Sequence, residues 1–359
     1  MKILMLGYFA DNQTGIYIMN NLKEYASDVA AVDIRRIVQE IGSGESQDII
    51  LEEIDDLKIN PDIILVLKGL ELAPDTIEKL KQKFPKAKIV NWMFDKFIGG
   101  IPVWENEKYK EVIKLYDMFF CSLKGVADRL KNIGFDNVYW MPEAADENFH
   151  GRTYMNHYQK QKYGDDVAFI GTLGLVKLHP NRLPILNKIG KEGFRLKIWG
   201  NVIGEWKNIP RDVRRFHMQE TAINIGHSKV VQSTLINLSI DQDPELELGQ
   251  SARLYRIMCA GGFVLSTATK GLEKMFKINE SKTAPITEDL DFVVFYDLDD
   301  LVDKLDYLLE QNDLREKIAE NGRKKVLEKH TFKTRCKELL EVIKGETKEY
   351  LIPESEKRT

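Results

Sequence analysis

Asp166-Val167-Ala168-Phe169-Ile170-Gly171-Thr172-Leu173 opens a second run of strand–helix alternation in a chain that has already completed one. Its apolar core ends at a glycine, as a short buried strand does when it turns sharply at its carboxyl end. Beyond it, Leu183–Lys191 reads as a helix and Arg195–Trp199 as the next strand. Ala222–Ser228 and Leu235–Ser239 read as further strands or strand edges. Gln250–Cys259 reads as a helix stopped by Gly261-Gly262, a pair suited to the left-handed backbone of a helix end. Phe263–Ser266 and Val293–Tyr296 are strands. Asp297–Asp300 supplies capping acids for a helix whose Leu301, Leu305, Leu308 and Leu309 form one stripe. Helices over Asp313–Lys329 and Thr331–Ile343 close the chain.

The residues before this stretch show the same rhythm. Lys2–Leu6, Val29–Asp33, Ile63–Leu67, Lys88–Trp92, Met118–Cys121 and Val138–Met141 are short apolar runs. Between them lie amphipathic patterns at Ile16–Tyr25, Ser46–Leu57, Pro74–Phe84, Tyr109–Leu115 and Gly125–Ile133. Such alternation argues for βαβ units with right-handed crossovers. The fold class is therefore α/β, with two Rossmann-like, doubly wound parallel-sheet domains facing across a cleft. The division is an N-terminal domain over 1–145, a polar linker over 146–165 and a C-terminal domain over 166–335. A terminal helix over 336–347 and a flexible, charged tail over 348–359 follow.

Bulk properties agree and exclude several classes. A length of 359 residues exceeds one typical core and suits two. The formal net charge of -4 gives no overall pull towards nucleic acid or an anionic membrane. Three scattered cysteines, Cys121, Cys259 and Cys336, fit neither a zinc site nor a disulfide framework, so reduced thiols in a cytoplasmic protein are expected. The apolar start Met1–Gly7 lacks a cleavage site and reads as a first strand rather than a signal peptide. No stretch approaches the roughly 18 apolar residues of a membrane span.

Fold class alone does not select a function. The selection rests on motifs. Asp166–Leu173 with Asn181-Arg182, Leu196-Lys197-Ile198-Trp199-Gly200-Asn201, and Ser251-Ala252-Arg253-Leu254-Tyr255-Arg256 through Cys259–Ser266 resemble the C-terminal domain of GT-B glycosyltransferases. That domain is like the one of glycosyltransferase group 1 and family 4. The ending, with Arg315, Ile318-Ala319, Gly322, His330-Thr331-Phe332 and Arg335, is similar too. Tyr116–Phe120 and Gly134–Val138 through Met141-Pro142 resemble the last strands of the N-terminal domain. Together they resemble the CgeB-like branch, named for spore-coat maturation proteins, over roughly residues 85 to 340. The resemblance implies a nucleotide-sugar donor on the C-terminal domain and an acceptor on the N-terminal one. It also implies a terminal helix that packs back toward the N-terminal domain.

Carried onto this sequence, the resemblance gives Gly171, Thr172, Trp199, Gly200, Asn201, Ser251, Arg253, Tyr255 and Arg256 as donor residues. Gly171-Thr172 either turns amide N–H groups toward a phosphate or is simply a tight turn. Arg253 and Arg256, three apart on one helix, suit a diphosphate because guanidinium is planar, permanently charged and bidentate. The bland reading is a solvated arginine pair. Arg256 also departs from the pattern. Relatives place there a glutamate that grips ribose hydroxyls, and arginine cannot accept those hydrogen bonds. Glu245 and Glu247 have no partner at the spacing of the paired glutamates of retaining relatives. Asp241-Gln242-Asp243 has a metal-binding form but in the wrong architecture, and an acidic turn explains it. Trp199 could stack on a base or belong to the core. Trp92 and Trp104 read as core.

On the acceptor side, the loop from Gly7 through Tyr8 to Gly15 follows the first strand and lacks Gly-x-Gly-x-x-Gly spacing, which counts against a dinucleotide cofactor. Asp95, just past a strand, is the candidate general base of an inverting transfer, or else a helix cap or partner of Lys96. His179 is a possible donor contact. His217, His227 and His330 lack metal spacing.

The expected activity is transfer of a hexosyl or pentosyl group from a nucleoside-diphosphate sugar to a hydroxyl of a glycan, protein, small molecule or modified nucleobase. Neither an essential metal nor another cofactor is expected, and a homodimer is allowed. The rivals are a non-catalytic glycan- or nucleotide-binding assembly protein, kept open by Arg256, and a sugar-nucleotide epimerase.

Overall fold

The short apolar runs form strands because both their faces are covered. Ile3, Leu4, Met5 and Leu6 are each 0% exposed, and Val167, Phe169, Ile236 and Leu238 are equally enclosed. The computed structural model describes residues 1–350 and 352, apart from Asn12, Val176, Gln242 and Pro244. Most of the expected tail (351 and 353–359) therefore lies outside the described residues, as do one residue of the 7–15 loop and the middle of the acidic turn. The described chain divides into two compact units, Met1–Pro142 with Phe332–Tyr350, and Glu143–Thr331.

The first unit carries β1 (Lys2–Gly7), α1 (Thr14–Leu22), β2 (Asp28–Asp33), α2 (Ile34–Ile41), α3 (Ser46–Asp56), β3 (Ile63–Leu67), α4 (Pro74–Lys83) and β4 (Lys88–Met93). A two-residue hairpin of β5 (Phe97–Ile98) and β6 (Ile101–Pro102) follows, then α5 (Glu107–Ile113), β7 (Met118–Cys121), α6 (Lys124–Asn132) and β8 (Val138–Trp140). Its main sheet is parallel, in the order β2-β1-β3-β4-β7-β8.

The second unit begins with α7 (Glu147–His150) and α8 (His157–Tyr163), and continues through β9 (Val167–Ile170), α9 (Arg182–Lys191), β10 (Leu196–Trp199), α10 (Arg211–Arg214) and α11 (Ile225–Ser233). It is completed by β11 (Ile236–Ser239), α12 (Ala252–Cys259), β12 (Val264–Thr267), β13 (Val293–Phe295), α13 (Leu298–Leu309) and α14 (Asn312–Lys329). Its sheet is also parallel, ordered β10-β9-β11-β12-β13. The last helix, α15 (Phe332–Lys344), belongs to the first unit. There it packs on α1, with Phe332 6.0 Å from the Tyr17 ring and Cys336 Sγ 3.8 Å from Ile18 O. All three cysteines are free and buried.

Three expectations differ from the structure. The segment read as a linker carries α7 and α8, which pack on α11 within the second unit, so the boundary falls at 142/143. The chain leaves that unit at 331/332, four residues before the expected end. Ala222–Ser228 is a turn entering α11, not a strand. Ile223 and Ile225 are exposed at 49% and 54%, so no sheet face holds them.

Caps fix the element ends. Asp297 accepts from the Asp299 and Asp300 N–H groups at 3.1 and 2.8 Å, starting α13. After α12, Gly261 N–H bonds Met258 O and Gly262 N–H bonds Ile257 O, with Gly261 at φ +78°. This pairing satisfies two orphan carbonyls and requires a left-handed residue at Gly261. A Cβ on Gly262 would lie 2.3 Å from Val231 Cγ1 and 2.8 Å from Asn237 Nδ2, so the turn is also pressed against α11 and β11.

Gly262→Ala is therefore expected to lower stability by about 1–3 kcal/mol through overpacking. Gly261→Ala is expected to cost about 1 kcal/mol, from backbone strain. Urea midpoints of the two variants measure both effects, and Gly262→Ala should show the larger loss.

Candidate functional site

In the second unit β9 leads to β10 on one side and its other neighbour β11 leads to β12 on the other, so the connections leaving β9 and β11 turn to opposite sides. Such a switch point leaves a crevice at the carboxyl ends of the strands, where open α/β sheets bind ligands. Arg253, in the first turn of α12, fills the wall of this crevice. Its Nε donates to Ile170 O at 2.7 Å and its Nη1 to Ile240 O at 3.1 Å, tying together the ends of β9 and β11. The guanidinium also lies 4.9 Å from the Phe169 ring centre. Gly171 makes room for it, because a Cβ there would stand 2.7 Å from Arg253 Nη2 and 2.8 Å from the Phe169 ring. Gly200 (φ +144°) packs as closely, with any Cβ 2.3 Å from Gly171 O. The Gly171 N–H is committed to Trp199 O at 2.8 Å and the Leu173 N–H to Asn201 O at 2.8 Å. Gly171 thus acts by its size. Thr172 N–H donates to no residue among those described.

A second guanidinium shares the crevice. Arg182, at the start of α9, is 7% exposed, donates from Nη1 to Thr172 O at 2.7 Å and lies 5.7 Å from the same Phe169 ring. Its Nε is buried without a partner among the described residues. Burial, then the charge of Arg253, pull this guanidinium well below its ordinary value, and Asp241 opposes them. Burial also lowers Arg253, to about 10. His179 is held neutral, at about 3, by burial and by both arginines. The acid nearby is Asp241, 2% exposed, which accepts from Ser251 N–H at 3.0 Å and from Thr269 Oγ1 at 3.4 Å. Burial raises its carboxyl, while those contacts and the charge of Arg253 lower it. Two enclosed guanidiniums facing one carboxylate leave a cationic surplus, and an anion entering there removes their mutual repulsion.

Arg256, one turn further along α12, is half-buried, and its charge bears on His150 and His227. Trp199 and Tyr255 are core residues, each 1% exposed. Trp199 packs on Tyr163 (5.6 Å between ring centres) and Tyr255 on His330 (5.5 Å). Neither presents a face to a ligand, which corrects the expectation for both. An aromatic at a strand end looks the same in sequence whether it points inward or outward. Among the described residues no group of three or more His, Cys, Asp or Glu stands ready for a metal.

The first unit has its switch point between β1 and β3. Gly7 ends β1 against Leu67, where a Cβ would lie 3.0 Å from Leu67 Cβ. Tyr8 stacks under Arg35 at 5.0 Å, and Gly15 lets α1 approach Tyr8, with any Cβ 2.4 Å from Tyr8 O. Asp95, past β4, pairs with Lys68 past β3, at 2.7 Å. Lys68 has a left-handed backbone (φ +60°). It is held there because its carbonyl accepts from Asn91 Nδ2 at 3.0 Å and Tyr109 Oη at 3.1 Å. A non-glycine residue in this region costs of order 1 kcal/mol or more and is kept only where surroundings enforce it. Sequence reasoning missed Lys68, which carries no motif. The only signal for it is a Lys-Gly pair directly after a strand.

The buried histidines set an acid limit. His227, 6% exposed, is lowered to about 3 by burial and the nearby arginines, against an unfolded value near 6.5. Below about 6.5 the unfolded chain binds the extra proton, so the contribution is complete above that pH and fades as pH falls towards 3. Between pH 6.5 and 5.0 this histidine alone is expected to remove about 2 kcal/mol. Urea midpoints should drop over that interval, and less so in His227→Gln.

Residues 182–341 match the family model described as glycosyl transferase-like. No curated protein matches the chain. Among solved structures it is similar to HepE of Anabaena in complex with UDP and glucose, at 10% identity and TM-score 0.65, covering 96% of this chain and 99% of that one. It is similar to an α-glucosyltransferase in complex with UDP-glucose and DNA containing an abasic site, at 13% identity and TM-score 0.62, over 96% and 99%. A UDP-N-acetylglucosamine 2-epimerase aligns at 14% identity and TM-score 0.52, over 98% of each. No helix among the described residues is long and apolar enough to cross a membrane. The chain therefore has the GT-B fold of two Rossmann-like units, and over residues 182–341 it carries a glycosyl transferase-like sequence.

Proposed function

We propose that the protein transfers a sugar from a nucleoside-diphosphate sugar to a hydroxyl-bearing acceptor, with the donor diphosphate held by Arg182, Arg253 and the Thr172 N–H. The observation that carries this reading is the pair of enclosed guanidiniums at the switch point of the second unit. As the bond between the sugar C1 and the phosphate oxygen breaks, its electron pair stays on the diphosphate. Fixed cations that meet this developing charge lower the barrier without needing a metal. Placed donors in a dry site are worth more than in water, because they need no reorganisation. His179, held neutral beside both arginines, adds no competing positive charge.

Asp95 serves as the general base of an inverting transfer: it accepts the acceptor hydroxyl proton as that oxygen bonds to C1. Lys68 keeps the Asp95 carboxylate oriented. The UDP or UDP-glucose in two of the similar structures supports a uridine nucleotide as the first donor to try. The CgeB-like branch is the finer assignment that the motifs support.

UDP at 100 times its dissociation constant is expected to stabilise the chain by about 2.7 kcal/mol without added metal. A thermal-shift series reads this, and Arg182→Met and Arg253→Ala should remove the shift. With a UDP-sugar as donor, Asp95→Asn is expected to lower kcat by about 10²–10⁴-fold while leaving the UDP shift in place. A sugar nucleotide altered without any acceptor would instead mark an epimerase, and binding without turnover would mark an assembly protein.

A further inference from the structure

Between β10 and α11 the second unit carries an apolar and strongly charged segment that the donor site does not use. Ile203 N–H donates to Leu173 O at 2.9 Å, so its backbone is fixed while the residue is 49% exposed. Gly204 follows with φ +92°, and a Cβ there would meet no atom within 4 Å. Trp206 opens a single 3-10 turn, Trp206–Asn208, and is 38% exposed. Its ring stands edge-on to His217, at 5.2 Å and 84°. That histidine lies in a stretch whose backbone runs along β10, with Ile198 N–H donating to Phe216 O and Met218 N–H to Ile198 O, both at 2.9 Å. The segment therefore folds back on itself against a sheet edge, and two large apolar side chains are held in solvent.

The same segment is rich in cations. Lys207, Arg211, Arg214 and Arg215 stand against Glu205 and Asp212. Glu205 takes Lys207 at 3.0 Å, and Asp212 lies 3.9 Å from Arg215, which also donates to Gly190 O at 2.7 Å. Arg211 and Arg214 have no ion pair among the described residues. Lys191, exposed at the end of α9, has none there either. A Cβ on its neighbour Gly190 would lie 2.9 Å from Asp212 O, so α9 brings this lysine to the same place. The acid beside it, Glu192, is taken by Lys188 at 2.9 Å. The local surplus is positive although the whole chain has a formal charge of -4. An anionic surface would attract this face and repel the rest.

We infer that Ile203, Trp206, Arg211 and Arg214 form a docking surface for an anionic lipid bilayer. A tryptophan ring sits well at headgroup level, an isoleucine partitions into the acyl boundary, and guanidiniums take lipid phosphates. A nucleic acid would use the same cations and could stack on Trp206, but it gives the exposed aliphatic side chain of Ile203 nothing to partition into. The occupant is therefore a lipid surface. The inference is independent of the donor reading, since neither Arg182 nor Arg253 belongs to this face.

The test is co-sedimentation of the full chain with vesicles of phosphatidylcholine alone, and of phosphatidylcholine and phosphatidylglycerol in equal parts. Binding to the mixed vesicles is expected to be tighter by about tenfold or more, and to weaken as salt is added. Arg211→Gln and Arg214→Gln should each weaken it about fivefold. Arg211→Lys and Arg214→Lys keep the charge and should keep the affinity, which guards against a folding artefact. Ile203→Ser, a change at an exposed side chain, is expected to cost about fivefold as well. Vesicles with brominated acyl chains should quench tryptophan emission in the unaltered chain and much less in Trp206→Phe. Vesicle binding that survives Ile203→Ser and both glutamine variants, or quenching unchanged in Trp206→Phe, would place the contact elsewhere and overturn the inference. No binding to the mixed vesicles, or equal binding to both kinds, would overturn it too. Capture of an oligothymidylate through the same arginines, without vesicle binding, would assign them to nucleic acid instead.

Discussion

One guanidinium organises the second unit. Arg253 holds the carbonyls of Ile170 and Ile240, at the carboxyl ends of β9 and β11, where these strands run out of sheet partners. Without such a donor, both carbonyls would need water at a point enclosed by Phe169, Gly171 and Arg182. The close glycines follow from the same requirement, because Gly171 can carry no side chain under Arg253, and Gly200 none against Gly171. Burying a cation this deeply is unfavourable unless something negative answers it. Asp241 answers one of the two arginines, and the second leaves room for a ligand's charge.

Much of this is legible in the sequence, for physical reasons. Buried parallel strands must be short, apolar and ended by turns, so the alternating plan of both units shows in runs such as Lys2–Leu6 and Val167–Ile170. The Gly261-Gly262 helix stop and the Asp297 cap are equally plain, since each depends on a local backbone conformation. Elements held by packing alone are not. The residues of α7 and α8 are largely polar and look like linker, while α11 is hidden by the exposed Ile223 and Ile225. Arg253 stands out because it opens the helix of the motif on which the resemblance rests. Its actual contacts, two backbone carbonyls, have no sequence signal. Trp199 and Tyr255 mislead because burial of an aromatic at a strand end or in a helix depends on its neighbours.

The two switch points are built differently. The second unit lines its switch point with two arginines and a neutral histidine, an arrangement suited to charge that stays on a departing group. The first offers a compact acid–base pair, Asp95 with Lys68, the latter clamped in a left-handed conformation by Asn91 and Tyr109. That division of chemistry fits the donor and acceptor roles proposed for the two units.

The arginine pair at the β9/β11 switch point is the diphosphate site proposed for the donor. A crystal structure of the full chain grown with UDP and no divalent metal tests it most directly. Phosphate oxygens within hydrogen-bond reach of both Arg182 and Arg253 are the expected result. UDP bound elsewhere, with the two guanidiniums still holding only Thr172, Ile170 and Ile240, would contradict it.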